Sequence, residues 1–158
     1  EEHCNALWEG IKNGTVDVIG SDHAPHTLSD KNKGYPNSPS GMPGTQTMLP
    51  IMLNFVNNGY LTMTDLVRLL CNNPAKLYGL EKKGSLEIGK DADITIVDLN
   101  KKHTLLNEQM ASKCGWTPYN QEKIQGMPIT TIINGNIVME DGKIKPNHFF
   151  GKPIERKR

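Results

Sequence analysis

Three residues that could do chemistry, Asp22, His23 and His26, fall within five positions directly after an apolar stretch. Residues 16–21 predict a short buried strand, with Asp22 at its C-terminal end. A carboxylate at this place can bind a cation such as zinc, and it can take a proton from a water that the metal activates. His26 could donate a hydrogen bond to an anionic substrate group, and Pro25 would stiffen the turn between the two side chains.

The same residues also allow an interpretation without a metal. Asp22 could cap the turn that follows the strand, with His23 and His26 as surface residues. A catalytic zinc normally has three protein ligands, so the D-H-x-x-H pattern is not a complete site. The remaining histidines are scattered, and we expect ordinary surface or half-buried residues at His3, His103 and His148.

The first half of the chain has the pattern of helices around one strand. Residues 3–13 place apolar side chains on one helical face, and a helix followed at once by a strand indicates part of an alternating α/β array. Residues 27–44 predict a long loop with three prolines and three glycines. Structureless loops of this length tend to be functional or disordered, and its place after the strand favours a functional loop.

Two further helices are predicted after the loop. Residues 45–58 and 64–71 carry apolar residues at helical spacing. Thr64 is a candidate N-cap, and Asn73-Pro74 predicts a break or kink before the helix ends. The methionines in this region are expected to fill the core.

The second half has the alternating pattern of β-strands. Residues 84–99 alternate and lead into a strand at 94–97. Asn134-Gly135 is a strong hairpin signal between two strands, and Asp141-Gly142 predicts a further turn. We therefore expect a small β unit whose boundary falls near residues 80–85.

Composition excludes several classes of partner. The 158 residues include 18 basic and 17 acidic ones, and the formal net charge of +1 is too small to draw the chain to nucleic acid or to a membrane. No run approaches the roughly 20 apolar residues of a membrane span. The three cysteines are widely spaced and form no C-x-x-C pair, which fits a reducing cytoplasm.

Three stretches together resemble the C-terminal part of a dihydroorotase of the amidohydrolase superfamily. They are VIGSDHAPHT at 18–27, PSGMPGTQTMLP at 39–50 and SKCGWTPY at 112–119. A fourth, NPAKLYGLEKKGSLEIGKDADITIVD at 73–98, is similar to the segment with which many cyclic amidohydrolases leave their barrel and enter a small β domain. The resemblance runs from the first residue to about Lys143.

The resemblance implies an α/β fold class. The chain would hold the last strand and helices of a metal-dependent TIM-barrel hydrolase, followed by a small β-sandwich-like extension. Residues 1–82 would be the C-terminal segment of the (β/α) barrel, residues 83–150 the small β domain and residues 151–158 a charged tail.

The resemblance also implies roles for individual residues. Asp22 matches the aspartate that ligates the metal and acts as general base and acid on the attacking water. His26 matches the histidine that binds the substrate carboxylate. Ser40 and Gly41 match a substrate-contacting pair in the following loop, and the family suggests no direct role for His23.

The activity implied is the reversible hydrolysis of the cyclic amide of dihydroorotate to N-carbamoyl-aspartate, in de novo pyrimidine biosynthesis. One or two Zn²⁺ ions would be the cofactor, the location would be the cytoplasm, and the implied protein partners are a second copy of the enzyme and aspartate transcarbamoylase. The family's other metal ligands, which include a His-x-His pair, are not found in this sequence. We therefore expect a piece of a longer protein that lacks hydrolase activity by itself.

Three alternatives stay open. The chain could come from another cyclic amidohydrolase, a hydantoinase (dihydropyrimidinase) or an allantoinase, although we expect those to lack His26 at this spacing. It could come from a non-catalytic dihydroorotase-like partner of aspartate transcarbamoylase, against which the retained Asp22 and His26 argue. It could also be a free-standing α+β domain without a site.

Overall fold

The structure, a computed structural model, describes residues 2–147 and 149–154. The helices of this part of the chain are α1 (Glu2–Lys12), α2 (Leu28–Lys31), α3 (Thr45–Asn57), α4 (Met63–Val67) and α5 (Asn73–Leu77). The strands are β1 (Ile94–Thr104), β2 (Lys123–Ile133), β3 (Asn136–Glu140) and β4 (Lys143–Ile144). None of the described helices is long and apolar enough to cross a membrane. His148 and the end of the predicted charged tail, residues 155–158, lie outside the described residues.

The four strands form one sheet in the order β1-β2-β3-β4. Strand β3 pairs antiparallel with β2 on one side and with β4 on the other. Both of its turns have two residues with positive φ, at 47° and 78° for Asn134 and Gly135 and at 47° and 76° for Asp141 and Gly142. This backbone matches the twist of antiparallel strands, and the hairpin and turn predictions are confirmed.

The prediction of a strand at residues 16–21 was wrong. This segment has no strand ladder among the described residues. Its backbone bonds run instead from the Val16 N–H to the Gly10 carbonyl at 2.9 Å and from the Ile19 N–H to the Leu69 carbonyl at 3.4 Å. An apolar run predicts burial, but a strand also needs a neighbouring strand, which the described residues do not supply here.

The long loop predicted at residues 27–44 is also not wholly irregular. It contains the short helix α2, and the Thr27 side chain is its N-cap, accepting a hydrogen bond from the Asp30 N–H at 3.2 Å. A single turn of helix is too short to give a hydrophobic period, so only the capping residue could have indicated it.

The N-cap of helix α4 lies two residues before the predicted cap. The N-cap is Thr62, which forms a capping box with Asp65: the Thr62 hydroxyl and the Asp65 carboxylate each accept a hydrogen bond from the other residue's backbone N–H, both at 3.1 Å. Thr64 lies inside the helix, so the prediction of Thr64 as N-cap was wrong. Thr62 has an acidic residue at the third helical position, and this reciprocal pairing decides between two nearby threonines.

The break predicted at Asn73-Pro74 takes the form of one π-helical turn. This turn covers Arg68–Asn72 and joins α4 to α5. Pro74 lies in the first turn of α5, directly after this π-helical turn.

The described residues form two compact units, each built from separate stretches of the chain. The first contains the residues up to 19, residues 58–98 and those from 128 onwards. Its buried apolar side chains include Ile11, Leu61, Leu66, Leu69 and Val138. On the predicted apolar face of α1, Leu7 remains 63% exposed, so the described residues cover that face only in part.

The second unit contains residues 20–57 and 99–127. Its core cluster brings Ile51 of α3 together with Leu105 and Ile124, and three partly buried side chains pack against it: Phe55, Tyr119 and Met127. The predicted domain limits 1–82, 83–150 and 151–158 stay a prediction.

The capping box generates a test of which threonine begins α4. Thr62→Ala should lower the free energy of unfolding by about 1 kcal/mol because it removes the N-cap. Thr64→Ala is the matched control, and at this exposed helical position it should change stability by less than about 0.5 kcal/mol. Urea unfolding of the two variants and the wild type at pH 7 measures both effects. A larger loss at Thr64 than at Thr62 would restore the original prediction.

The same box should respond to pH. Hydrogen bonds from the Thr62 side chain and backbone hold the pKa of the Asp65 carboxyl below its usual range. A lowered folded-state pKa gives stability that is complete above the unfolded-state pKa and is lost as the pH falls through the folded-state pKa. The gap in unfolding free energy between the wild type and Thr62→Ala should therefore narrow in acid, and a gap that stays constant would count against the box.

Candidate active site

The residues predicted for the site all lie in the second compact unit, on two segments that run side by side. The Ala24 N–H donates to the Met42 carbonyl at 2.9 Å, and His23 and Met42 form an isolated parallel bridge. The segment that carries Asp22 and His26 is thereby joined to the segment of Ser40 and Gly41, which are 18 and 19 positions later in the chain than Asp22.

Asp22 has an unusual backbone for a residue other than glycine. Its φ is 43°, in the left-handed region that aspartate tolerates better than most residues. Its side chain is exposed, so the carboxylate is accessible to a ligand in solution.

The Nδ1 atom of His23 binds backbone groups of the protein, so it is not available to a ligand. Nδ1 accepts the Gly44 N–H at 3.0 Å and the Thr45 N–H at 3.4 Å, at the start of α3. These donors have no partner within the helix, so the imidazole satisfies the helix end. An accepting Nδ1 requires the neutral ring with its proton on Nε2. No sequence pattern indicated this structural role, because His23 and Gly44 are 21 positions apart.

Two glycines allow the segments to come this close. Gly41 has a φ of 90°, and a Cβ there would lie 2.6 Å from the Cβ of Ala24. A Cβ on Gly44 would lie 2.8 Å from the Ser21 carbonyl oxygen. Both distances are far below van der Waals contact, so any larger residue would push the segments apart.

Lys31 closes the loop between the two segments. Its Nζ donates to the Pro39 carbonyl at 2.6 Å and to the Gly41 carbonyl at 3.0 Å. Sequence reasoning missed this residue, because a side chain that binds loop carbonyls follows no periodic pattern.

An ion pair lies on the outer side of the same loop. The Asp30 carboxylate accepts hydrogen bonds from the Lys33 ammonium at 2.6 Å and from the Thr27 hydroxyl at 2.7 Å. The Lys33 hydrogen bond, and then that of Thr27, lower the pKa of the Asp30 carboxyl. The pair is exposed, so its contribution to stability is small.

The backbone of His26 is fixed on both sides of the residue. Its N–H donates to the Ala24 carbonyl at 2.9 Å, across Pro25, and its carbonyl accepts the indole N–H of Trp116 at 2.8 Å. Trp116 belongs to the SKCGW stretch, so two of the stretches quoted above meet here. The SKCGW motif indicated that Trp116 could be important, but nothing in the sequence indicated that it contacts His26.

The described residues do not contain a complete metal site. No group of three or more His, Cys, Asp or Glu side chains among them is placed to hold a metal ion. Asp22 can offer one carboxylate, whereas a catalytic zinc needs about three protein ligands. His103 is engaged elsewhere, with Nε2 2.9 Å from the Gln109 side-chain oxygen. The described residues therefore supply only part of the ligand set that a catalytic metal needs.

Comparison with known proteins decides the family. The sequence profile of the amidohydrolase family matches residues 1–138. The chain belongs to the amidohydrolase family. This amidohydrolase chain is 45% identical to a dihydroorotase from Pyrococcus furiosus over 153 residues, which are 97% of this chain and 34% of the relative. It is 36% identical to the multifunctional protein pyr1-3 of Dictyostelium discoideum, over 99% of this chain and 7% of that protein.

A solved structure agrees with the family. The L-hydantoinase (dihydropyrimidinase) of Arthrobacter aurescens superposes with a TM-score of 0.89 at 36% sequence identity, over 95% of this amidohydrolase chain and 34% of the hydantoinase chain. The chain thus spans about a third of the length of that hydantoinase and of the Pyrococcus relative. The expected α/β fold class, part of a TIM-barrel hydrolase, is confirmed. In the described residues, the expected β-sandwich-like extension is a small antiparallel sheet.

The contact between Gly41 and Ala24 can be tested by a pair of substitutions. Gly41→Ala should lower the free energy of unfolding by about 1–3 kcal/mol, since it adds both an unfavourable φ and a steric overlap. Combining it with Ala24→Gly removes the overlap but leaves the φ, so Gly41→Ala should cost less in that background. Urea unfolding of the two single variants and the double variant measures the coupling. If the changes in unfolding free energy of the two single variants add up to that of the double variant, the overlap does not contribute to stability.

Proposed function

We propose that this chain is the C-terminal portion of a dihydroorotase, which interconverts dihydroorotate and N-carbamoyl-aspartate. The observation that carries the proposal is the convergence of the D-H-A-P-H segment, Gly41 and Trp116 in one compact unit of a chain that is 45% identical to a dihydroorotase. The pathway served would be pyrimidine biosynthesis, as the resemblance implies.

The proposed roles follow from the chemistry of the reaction. Hydrolysis of a cyclic amide needs a polarised carbonyl, an activated water and a proton for the leaving nitrogen. A bound metal, which we propose to be zinc, would supply the first two. Asp22 would be one of its ligands, and it would accept the proton of the attacking water and deliver it to the nitrogen as the ring opens.

Binding of the substrate would fall to the residues around Asp22. His26 would donate a hydrogen bond to the substrate carboxylate and so orient the ring for attack. Ser40 and Gly41 would contact the ring from the following loop, where the missing side chain of Gly41 lets the backbone approach closely. The exposed side chain of Asp22 and the fixed backbone of His26 support this assignment.

The remaining ligands and partners would come from outside the residues described. Asp22 alone cannot hold a catalytic metal, so the other ligands would lie elsewhere in the complete enzyme. A second copy of the enzyme and aspartate transcarbamoylase are the protein partners we propose, and the match to a multifunctional Dictyostelium protein supports association with other catalytic domains. The cytoplasm is the proposed location, since all three cysteines are free thiols.

A hydantoinase is the second candidate, because the superposed L-hydantoinase is 36% identical to this chain. The unsubstituted hydantoin ring carries no carboxylate, so a histidine that binds a carboxylate would have no partner there. The proposed carboxylate-binding role of His26 therefore distinguishes dihydroorotate from hydantoin.

The deciding experiment compares substrates. The complete gene product that contains this chain should hydrolyse dihydroorotate with a kcat/KM at least about tenfold above that for hydantoin or allantoin, equivalent to about 1.4 kcal/mol. The purified 158-residue chain, assayed beside it with added Zn²⁺, should show no steady hydrolysis. Preference for hydantoin would favour the second candidate, and turnover by the short chain would refute the requirement for further ligands.

The role of Asp22 is tested by Asp22→Asn in the complete gene product. We expect kcat for dihydroorotate to fall by about 10²–10⁴-fold, because the amide cannot accept the proton of the water. Asp17→Asn is the matched control: it makes the same chemical change at an exposed residue of the first unit, and it should leave kcat unchanged. Equal effects of the two substitutions would remove Asp22 from the mechanism.

A further inference from the structure

Trp116 touches the proposed substrate-binding histidine from a distant part of the chain. Its indole Nε1–H donates to the backbone carbonyl of His26 at 2.8 Å, although the two residues are 90 positions apart. The N–H of His26 is held by the Ala24 carbonyl at 2.9 Å. The two hydrogen bonds fix the peptide groups on either side of His26, and the direction of its Cα–Cβ bond follows from them.

The loop that carries Trp116 is itself firmly held. Thr117 is only 4% exposed, and its N–H donates to the Asn107 side-chain oxygen at 2.9 Å. The Asn107 N–H in turn donates to the Asn120 side-chain oxygen at 3.0 Å, and the Asn120 N–H donates to the Thr117 carbonyl at 3.3 Å. This closed set of hydrogen bonds keeps the residue after Trp116 in one place.

A second connection joins this loop to α3. The Gln46 side chain donates from Nε2 to the Gln109 carbonyl at 2.9 Å and accepts the Ala111 N–H on Oε1 at 2.8 Å. Gln46 lies in the first turn of α3, next to the helix start that His23 caps. The start of α3 is thus bonded to the segment before Trp116 through Gln46 and to the segment before His26 through His23.

We infer that Trp116 is a positioning residue that sets the direction of the His26 imidazole for the substrate carboxylate. This inference rests on the proposed dihydroorotase function. A ring that must meet a carboxylate at hydrogen-bond distance loses binding when its backbone turns by a few degrees, so a fixed carbonyl strengthens substrate binding more than it affects the chemical step.

The test uses Trp116→Phe in the complete gene product, which keeps an aromatic ring and removes the N–H donor. We expect KM for dihydroorotate to rise about fivefold, the loss that one neutral hydrogen bond corresponds to, with kcat within about twofold of the wild type. Trp8→Phe is the matched control, because Trp8 is the other tryptophan and lies in the first unit against Tyr60. It should leave both constants unchanged.

This split separates positioning from simple destabilisation. A variant that only unfolds more easily has less active enzyme, which lowers kcat and leaves KM unchanged. A fall in kcat with constant KM, or equal kinetics for Trp116→Phe and Trp8→Phe, would overturn the inference while the dihydroorotase function stands. A wild type that does not hydrolyse dihydroorotate would overturn both.

The contact has a readout that does not depend on turnover. In the ¹⁵N-labelled complete gene product, the indole N–H signal that is lost in Trp116→Phe and kept in Trp8→Phe belongs to Trp116. We expect its exchange with solvent to be at least about tenfold slower than that of a free indole, since a hydrogen-bonded N–H must open before it exchanges. Exchange at the free rate would show that Trp116 does not hold His26 and would overturn the inference even where the enzyme is active.

Discussion

The close approach of two backbone segments, residues 21–24 and 41–44, governs the geometry around Asp22. Gly41 and Gly44 permit it, because a Cβ at either position would overlap Ala24 or the Ser21 carbonyl. Once the segments are this close, the Nδ1 atom of His23 reaches the first N–H groups of α3, and the Ala24 N–H reaches the Met42 carbonyl. The N–H groups of Ala24, Gly44 and Thr45 are thereby hydrogen-bonded, because the two glycines leave the space for this approach.

Local chemistry in the sequence was enough to predict most elements of the fold. The helices α1 and α3 have continuous apolar faces, and the hairpin between β2 and β3 has the Asn-Gly pair that its positive φ angles require. The cap of α4 was placed at Thr64 rather than Thr62, because both threonines precede the same apolar residues. Only the reciprocal bond with Asp65 distinguishes them.

Non-local contacts explain what the sequence could not predict. The apolar run at residues 16–21 indicated burial, and the partner strands it would need are not among the described residues. The predicted site residues all fall within residues 22–41, so their proximity in the structure could be expected from the sequence. The hydrogen bond between Trp116 and His26 spans 90 positions, and no pattern of spacing specifies a contact of that range.

The amidohydrolase family gives these contacts a chemical context. In the proposed dihydroorotase, the accessible carboxylate of Asp22 and the side chain of His26 would be two parts of a reaction centre that requires more donors than the described residues hold. Within this part of the protein, the backbone around His26 is held by the hydrogen bond from Trp116 and by the contact of its segment with the start of α3, which the glycines permit.

The hydrogen bonds of the Lys31 ammonium reduce the conformational entropy that the loop would lose when a ligand binds. Because Nζ binds the carbonyls of Pro39 and Gly41, this end of the loop is held in place without a ligand. Part of the freedom of the nine residues between Lys31 and Gly41 is therefore lost during folding, at roughly 1–2 kcal/mol per ordered residue, and not during the encounter. A ligand that contacts Ser40 or Gly41 therefore meets a preorganised surface, and its affinity is not reduced by the ordering of that segment.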